Sequence, residues 1–222
     1  DSVQMVEKTE EQSGIINILE PTKENQNLVK KSAEMKSGEK IFDIGEIVTK
    51  NMVATLASFG YEKVKVARKP RIKILATGSE IVHISETPKQ DQIRNSNSWM
   101  LAEFAKDFGE VEMLPISKDD LENLKDTINE AVKNCDFLII SGGVSVGDYD
   151  FTKPALREIG AEIFFEKVSL KPGKPTVFAK LENTLIFGLP GNPVSVAVTF
   201  FVFARTALLL KKKKKNAELK KG

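Results

Sequence analysis

A three-layer α/β domain preceded by a small β-rich domain is the fold this sequence predicts, and three observations predict it. Past Arg68-Lys-Pro-Arg71, short apolar runs of strand length alternate with helical patterns, as expected of strands joined by covering helices. Those runs are followed by turns rich in Gly, Asn, Ser and Asp, which in an open sheet gather at the carboxyl ends of the strands. Before residue 68 the pattern changes to two brief strand-like runs and one helix.

In chain order, residues 3–7 (Val-Gln-Met-Val-Glu) and 14–19 read as short strands, and residues 51–59 as a helix closed by Gly60. Residues 1–68 are thus the small β-rich domain and residues 69–210 the α/β domain. Its strands are expected at 72–76, 111–115, 137–140, 163–165, 176–178 and 185–187. Asn95-Ser-Asn97-Ser98 opens one helix and Ser117-Lys-Asp119-Asp120 opens another, whose apolar spacing continues to Val132. Taken singly, Asn97 and Asp119 are read as caps, because caps prefer these residue types.

Asn192 as N-cap and Pro193 at the first helical position start a helix over residues 194–210. Arg205 interrupts this run, which falls short of the roughly 20 apolar residues a bilayer requires, so a buried helix is expected rather than a membrane span. The lysine run 211–215 is read as a solvated segment after the helix end, favoured by the helix dipole, with residues 211–222 as a connection.

At 222 residues the chain can bury a sizeable core. Its formal net charge of +2 is nearly balanced, which argues against nucleic-acid or membrane-surface binding by the whole domain. A single cysteine, Cys135, permits no intramolecular disulfide, and no leader pattern opens the chain, so a cytoplasmic location is expected. His83, the only histidine, has no Cys or His neighbours with metal-ligand spacing, and Cys135 before a strand reads as inert packing.

The chemistry-bearing segment is Ile140-Ser-Gly-Gly-Val-Ser-Val-Gly-Asp-Tyr-Asp150, a strand end running through a glycine-rich loop into a helix start. Gly142, Gly143 and Gly147 can turn consecutive amides toward one anion, with phosphate as the natural acceptor. Lys167, Lys171-Pro-Gly-Lys174-Pro175 and Leu189-Pro190-Gly191-Asn192-Pro-Val-Ser195 stand beside other strand-like runs and are expected at the same sheet end. Thr77-Gly78-Ser79-Glu80, Asn97, Asp119 and Asp150 would surround the same crevice.

These five segments (Thr77 to Glu80, Ile93 to Ser98, Ser141 to Asp150, Lys171 to Pro175 and Leu189 to Ser195) occur in the order found in molybdopterin molybdenumtransferases. The chain resembles the bacterial MoeA type, whose module also occurs in the carboxy-terminal region of gephyrin. The resemblance runs from about residue 1 to about 210. It implies a portion of a longer enzyme, since family members carry more sequence before a segment like residues 3–7 and a small β-domain after the helix near Leu210.

The implied reaction uses adenylylated molybdopterin: its dithiolene receives molybdate, and its pyrophosphate bond to AMP is hydrolysed with help from Mg²⁺. By resemblance, the amides of Gly142, Gly143 and Val144 and the hydroxyl of Ser145 meet a phosphate or the pterin side. Thr77, Gly78, Asn97, Ser98, Pro190, Gly191 and Asn192 line the substrate. Asp119 and Asp150 hold Mg²⁺, Glu80 adds a carboxylate or orients a pterin nitrogen, and Lys167, Lys171, Lys174 and Ser195 meet the oxyanion. Polyanionic substrates require such cations and backbone donors.

The sequence departs from the family pattern in three places. Ser79 and Asn95 stand where the family usually has Asp, and Ser32-Ala33-Glu34 stands where it often has Gly-Glu-Asp. Glu34 would reach a partner subunit's cleft in a homodimer. Two alternatives stay open. One is the related molybdopterin adenylyltransferase, the possible upstream partner, which normally carries Gly-Gly-Thr-Gly in place of Gly142-Gly143-Val144-Ser145. The other is a non-catalytic scaffold on the same fold, against which the clustered charges argue.

Overall fold

The computed structural model describes residues 1–144 and 150–218, with side chains described as far as residue 211. The chain gathers into two compact units, Asp1–Asp43 and Ile44–Gly222. The first unit holds a hairpin of β1 (Thr9–Gln12) and β2 (Ile15–Ile18), paired antiparallel with Gln12 opposite Ile15. Ser13 and Gly14 both adopt positive φ at its tip, 55° and 80°, the twist a two-residue hairpin turn requires.

That turn sets the register and corrects the strand expected at residues 3–7. Pairing reaches back only to Thr9, opposite Ile18, and Val6–Lys8 instead form a single 3₁₀ turn. An apolar run becomes a strand only where a partner lies opposite it.

The second unit opens with α1 (Lys50–Ser58), capped by the Thr49 hydroxyl accepting from the Met52 amide at 3.3 Å. Then follow β3 (Arg71–Ala76), β4 (Ile81–Val82), β5 (Ile93–Arg94), α2 (Ser96–Ala105), β6 (Glu110–Met113), α3 (Leu121–Val132), β7 (Phe137–Ser141), α4 (Thr152–Glu158), β8 (Glu162–Phe165), β9 (Val177–Leu181) and β10 (Thr184–Leu189). After β10 come α5 (Pro193–Thr199), a π-helical turn (Phe200–Ala204) and α6 (Arg205–Glu218).

Six strands form one sheet in the order β6-β3-β7-β10-β9-β8. β6, β3, β7 and β10 run parallel, while β9 is antiparallel to both β10 and β8. Side chains alternate across the sheet, so both faces are apolar and both are covered, as the predicted three-layer fold requires. Leu75, Leu138, Ile140 and Ile186 meet Leu124 and Ile128 of α3 and Leu156 of α4. Ile72, Ile74, Phe137, Ile139 and Phe187 meet Leu101 of α2 and the long C-terminal helix.

That helix enters the core through Val196, Phe200, Ala204 and Leu208, a stripe at four-residue spacing. Phe201, Val202 and Leu210 are exposed, which corrects the expectation of a wholly buried helix. By length and composition alone residues Pro193–Lys211 are long and apolar enough to cross a membrane, so the length argument against a span fails; the buried stripe is what ties the helix to this sheet. The backbone continues as helix through Glu218, so the lysine run lies within α6 rather than after it.

At the amino end of β7, Asp136 fastens three segments. Its carboxylate accepts from both terminal nitrogens of Arg68 at 2.6 and 3.0 Å, from the Arg71 amide at 2.9 Å and from Lys211 Nζ at 3.1 Å. Lys211 also sits 5.1 Å from the centre of the Phe137 ring. Burial alone would raise the Asp136 pKa, but the Arg68, Arg71 and Lys211 donors outweigh it and hold the carboxyl well below its usual range.

Candidate functional site

The sheet topology dictates where the loops meet. β3, β6, β7 and β10 are parallel, so the segments after them emerge at one end: Thr77 to Glu80, the run to Asp119, the glycine loop, and Pro190 to Ser195. β9 runs the other way, and its first residue Val177 lies opposite Gly188 near the end of β10. The segment preceding β9, with Lys171 and Lys174, therefore comes to the same end. Phe165, the last residue of β8, pairs with Phe178, which brings Lys167 there too. All three lysines are exposed.

At the end of β3, Thr77 bridges to Ser117, and the Gly78 amide donates to the Ser117 carbonyl at 3.3 Å. Gly78 has φ of 150°, and a Cβ there would lie 2.6 Å from a carboxylate oxygen of Glu80, which folds back over it. Asp119 is held from two sides. The Ser79 amide donates to its Oδ2 at 2.7 Å and the Thr77 hydroxyl reaches its Oδ1 at 3.5 Å, while the Asp119 amide donates to Ser79 Oγ at 3.3 Å.

The cap of α3 is Asp120, whose Oδ1 accepts from the Asn123 amide at 2.7 Å. The reading of Asp119 as a cap is thereby corrected: its neighbour caps, and Asp119 faces the loop after β3. The same exchange occurs at α2. Asn95 caps it by accepting from the Ser98 amide at 3.1 Å, whereas Asn97 sends Nδ2 to the Gly191 carbonyl at 2.7 Å and to Ser141 Oγ at 3.2 Å. Asn97 thus ties α2 to the ends of β7 and β10. Among the described residues, Asn97 Oδ1 and the hydroxyl of buried Ser98 have no hydrogen-bond partner.

The glycines after β7 have a packing role that the sequence did not disclose. Gly142 and Gly143 adopt φ of 99° and 62°, and a Cβ on Gly142 would lie 2.3 Å from the Thr77 carbonyl oxygen. Two buried donors close the loop: the Thr152 amide on Gly143 O at 3.1 Å and the Thr152 hydroxyl on Gly142 O at 3.3 Å. The amide of Gly142 donates to Leu189 O at 3.0 Å, which corrects its assignment as an anion donor. The amides of Gly143 and Val144 carry no hydrogen bond among the described residues, and the Val144 side chain is in the core. Ser145 and Gly147 lie outside the described residues, and Asp150 is half-buried just before α4.

After β10, Pro190 is buried and Gly191 exposed, and Asn192 caps α5 as expected, accepting from the amides of Val194 and Ser195 at 3.0 and 3.3 Å. Ser195 is buried. The lysine loop is fastened by Thr176, whose hydroxyl donates to Gly173 O at 2.7 Å and whose amide donates to Lys174 O at 3.0 Å. Thr152, Thr176 and Thr199 went unnoticed in the sequence; for Thr152 and Thr176 the signal there is a small hydroxyl residue close to a glycine-bearing loop. Among the described residues His83 binds only its local turn, with Nδ1 2.7 Å from Ser85 Oγ. Burial pushes the Cys135 thiol pKa up, consistent with packing. Glu34 is exposed in the Asp1–Asp43 unit.

A family model described as a probable molybdopterin binding domain matches residues 73–209. The chain is 35% identical over 209 residues to the molybdopterin molybdenumtransferase of Staphylococcus aureus strain COL, covering 94% of this chain and 50% of that protein. The Staphylococcus epidermidis protein of the same name gives the same identity and coverage. The crystal structure of a molybdopterin biosynthesis MoeA protein from Pyrococcus horikoshii aligns with a TM-score of 0.81 at 31% identity, covering 97% of this chain and 54% of that one. The chain therefore spans about half the length of the curated relatives it matches.

Proposed function

The chain belongs to the family of probable molybdopterin binding domains, and on that premise we propose that its carboxyl-end cleft serves molybdenum cofactor biosynthesis by inserting molybdate into adenylylated molybdopterin with release of AMP. One observation supports this most: three exposed lysines, an oriented carboxylate and the amides of Gly143 and Val144, unpaired among the described residues, are carried to one end of one sheet.

The division of labour follows from charge. Lys171 and Lys174, with Lys167, offset the repulsion between molybdate and a pyrophosphate-bearing substrate. Asn97, Ser98, Thr77, Gly78, Pro190, Gly191, Asn192 and Ser195 shape the floor on which the substrate lies. Glu80 supplies a further polar contact.

Mg²⁺ suits the donor set. Asp119 is a hard oxygen donor, oriented by Ser79 and Thr77 with lone pairs to spare. Asp119 and Asp150 would hold the ion, whose chemistry there is to neutralise charge on the phosphates. Among the described residues no group of three or more metal-ligating side chains gathers, in keeping with an ion that takes one or two carboxylates and fills its shell with water and substrate phosphate. The reading extends to a cytoplasmic homodimer in which Glu34 acts in the partner's cleft, and to a molybdopterin adenylyltransferase that supplies the substrate.

The test is Mg²⁺-dependent release of AMP from adenylylated molybdopterin on adding molybdate. It compares this chain, its Asp150→Asn variant and the Staphylococcus aureus relative. Release that is lost in D150N while substrate binding persists is expected. Binding without release by any wild-type protein would favour the scaffold reading instead.

A further inference from the structure

We infer that Thr176 is the positioning residue of the oxyanion-binding lysine loop, an inference that rests on the role proposed above for Lys171 and Lys174. Four contacts converge on a short stretch of backbone between those lysines. The Thr176 hydroxyl, fully buried, donates to Gly173 O at 2.7 Å. The amides of Val168 and Thr176 both donate to Lys174 O at 3.0 Å. Gly173 is itself buried with φ of 120°, and a Cβ there would lie 2.5 Å from Thr199 Cγ2.

Thr199, also fully buried, is fixed in turn by its hydroxyl, which donates to Ser195 O at 2.7 Å and Val196 O at 3.2 Å. The loop thus rests on α5, the helix that follows the Pro190-Gly191-Asn192 turn.

The consequence is electrostatic. A carbonyl oxygen facing an anion repels it, and a flexible loop would place its carbonyls anywhere. Here two consecutive carbonyls, of Gly173 and Lys174, are captured by inward donors, while the side chains of Lys171 and Lys174 stay exposed. The backbone presents its cations outward and keeps its lone pairs inward. Preorganisation of this kind adds affinity without any new contact to the ligand.

The test uses the whole chain in three forms: wild type, T176S, which keeps the hydroxyl, and T176V, which keeps the shape without it. Sodium molybdate and AMP are titrated calorimetrically, and hydrogen exchange is followed at the amides of residues 168 and 176. T176V is expected to bind molybdate about tenfold more weakly, the order of effect of one buried hydrogen bond, and T176S within about threefold of wild type. Exchange at residues 168 and 176 should quicken about tenfold in T176V alone, with the amides of β7 and β10 unchanged.

The T176V effect on binding should vanish in a Lys171→Ala, Lys174→Ala background, because a positioning residue acts only through the groups it positions. Wild-type binding by T176V, or an equal loss without the lysines, overturns the inference. If wild type binds neither molybdate nor AMP, the proposed function fails, and the exchange data alone decide whether Thr176 holds the loop: unchanged exchange in T176V refutes it.

Discussion

Ile16 and Ile139 are the same residue type in the same kind of element, yet Ile16 of β2 is 64% exposed and Ile139 of β7 is 0% exposed. No residue before Pro70 is buried, whereas from Pro70 onward β3, β7, β9 and β10 all contribute buried residues to the core. Two strands cannot enclose a side chain, and six strands with helices on both faces can. The difference shows where structural precision resides: the candidate site is built on strand ends fixed by burial, on the same framework as the core.

The largest effect should separate the two regions directly. Ile139→Ala is expected to lower stability by about 2–5 kcal/mol in chemical denaturation, through lost transfer energy and a cavity. At the other extreme Ile16→Ala should stay within about 0.5 kcal/mol, as for exposed sites. Equal effects at the two positions would mean that the hairpin is covered in solution.

Next in size, Asp136→Asn should destabilise by about 2–3 kcal/mol, because it weakens a half-buried network of Arg68, Arg71 and Lys211. Since folding depresses this carboxyl's pKa, its contribution is complete above the ordinary aspartate value and is lost as pH falls through and below it. Thermal unfolding of wild type should therefore weaken more steeply than that of D136N as pH drops below about 4. Parallel curves would deny Asp136 that role.

A smaller and sharper contrast concerns two adjacent aspartates. Asp120→Ala should cost about 1 kcal/mol of stability with little effect on AMP release, the usual loss for an N-cap. Asp119→Ala should do the reverse, sparing stability and suppressing turnover. Similar kinetic defects in both variants would remove the distinction between cap and site.

That pair shows what the sequence could convey. Apolar periodicity located the six strands of the sheet and their covering helices, because burial on both faces leaves a pattern in the chain itself. Choosing Asp120 over Asp119, or Asn95 over Asn97, depends on contacts with Ser79 and Gly191, 40 and 94 residues away. No local preference carries that information, since Asp and Asn favour caps wherever they stand. The glycine loop was legible as a turn, but the use of Gly142's amide by Leu189 follows from the parallel pairing of β7 with β10. The strand misplaced at residues 3–7 lies in the exposed region, where burial does not enforce a pattern.

The proposed function places the oxyanion between the lysine loop and the Pro190-Gly191-Asn192 turn, at the carboxyl end of the sheet. The most direct measurement is anomalous X-ray diffraction at the molybdenum absorption edge from crystals of this chain soaked with molybdate and AMP. A molybdenum peak within hydrogen-bonding reach of Lys171 or Lys174 is the predicted result. An ordered peak elsewhere on the chain, with that cleft empty at saturating molybdate, would contradict it.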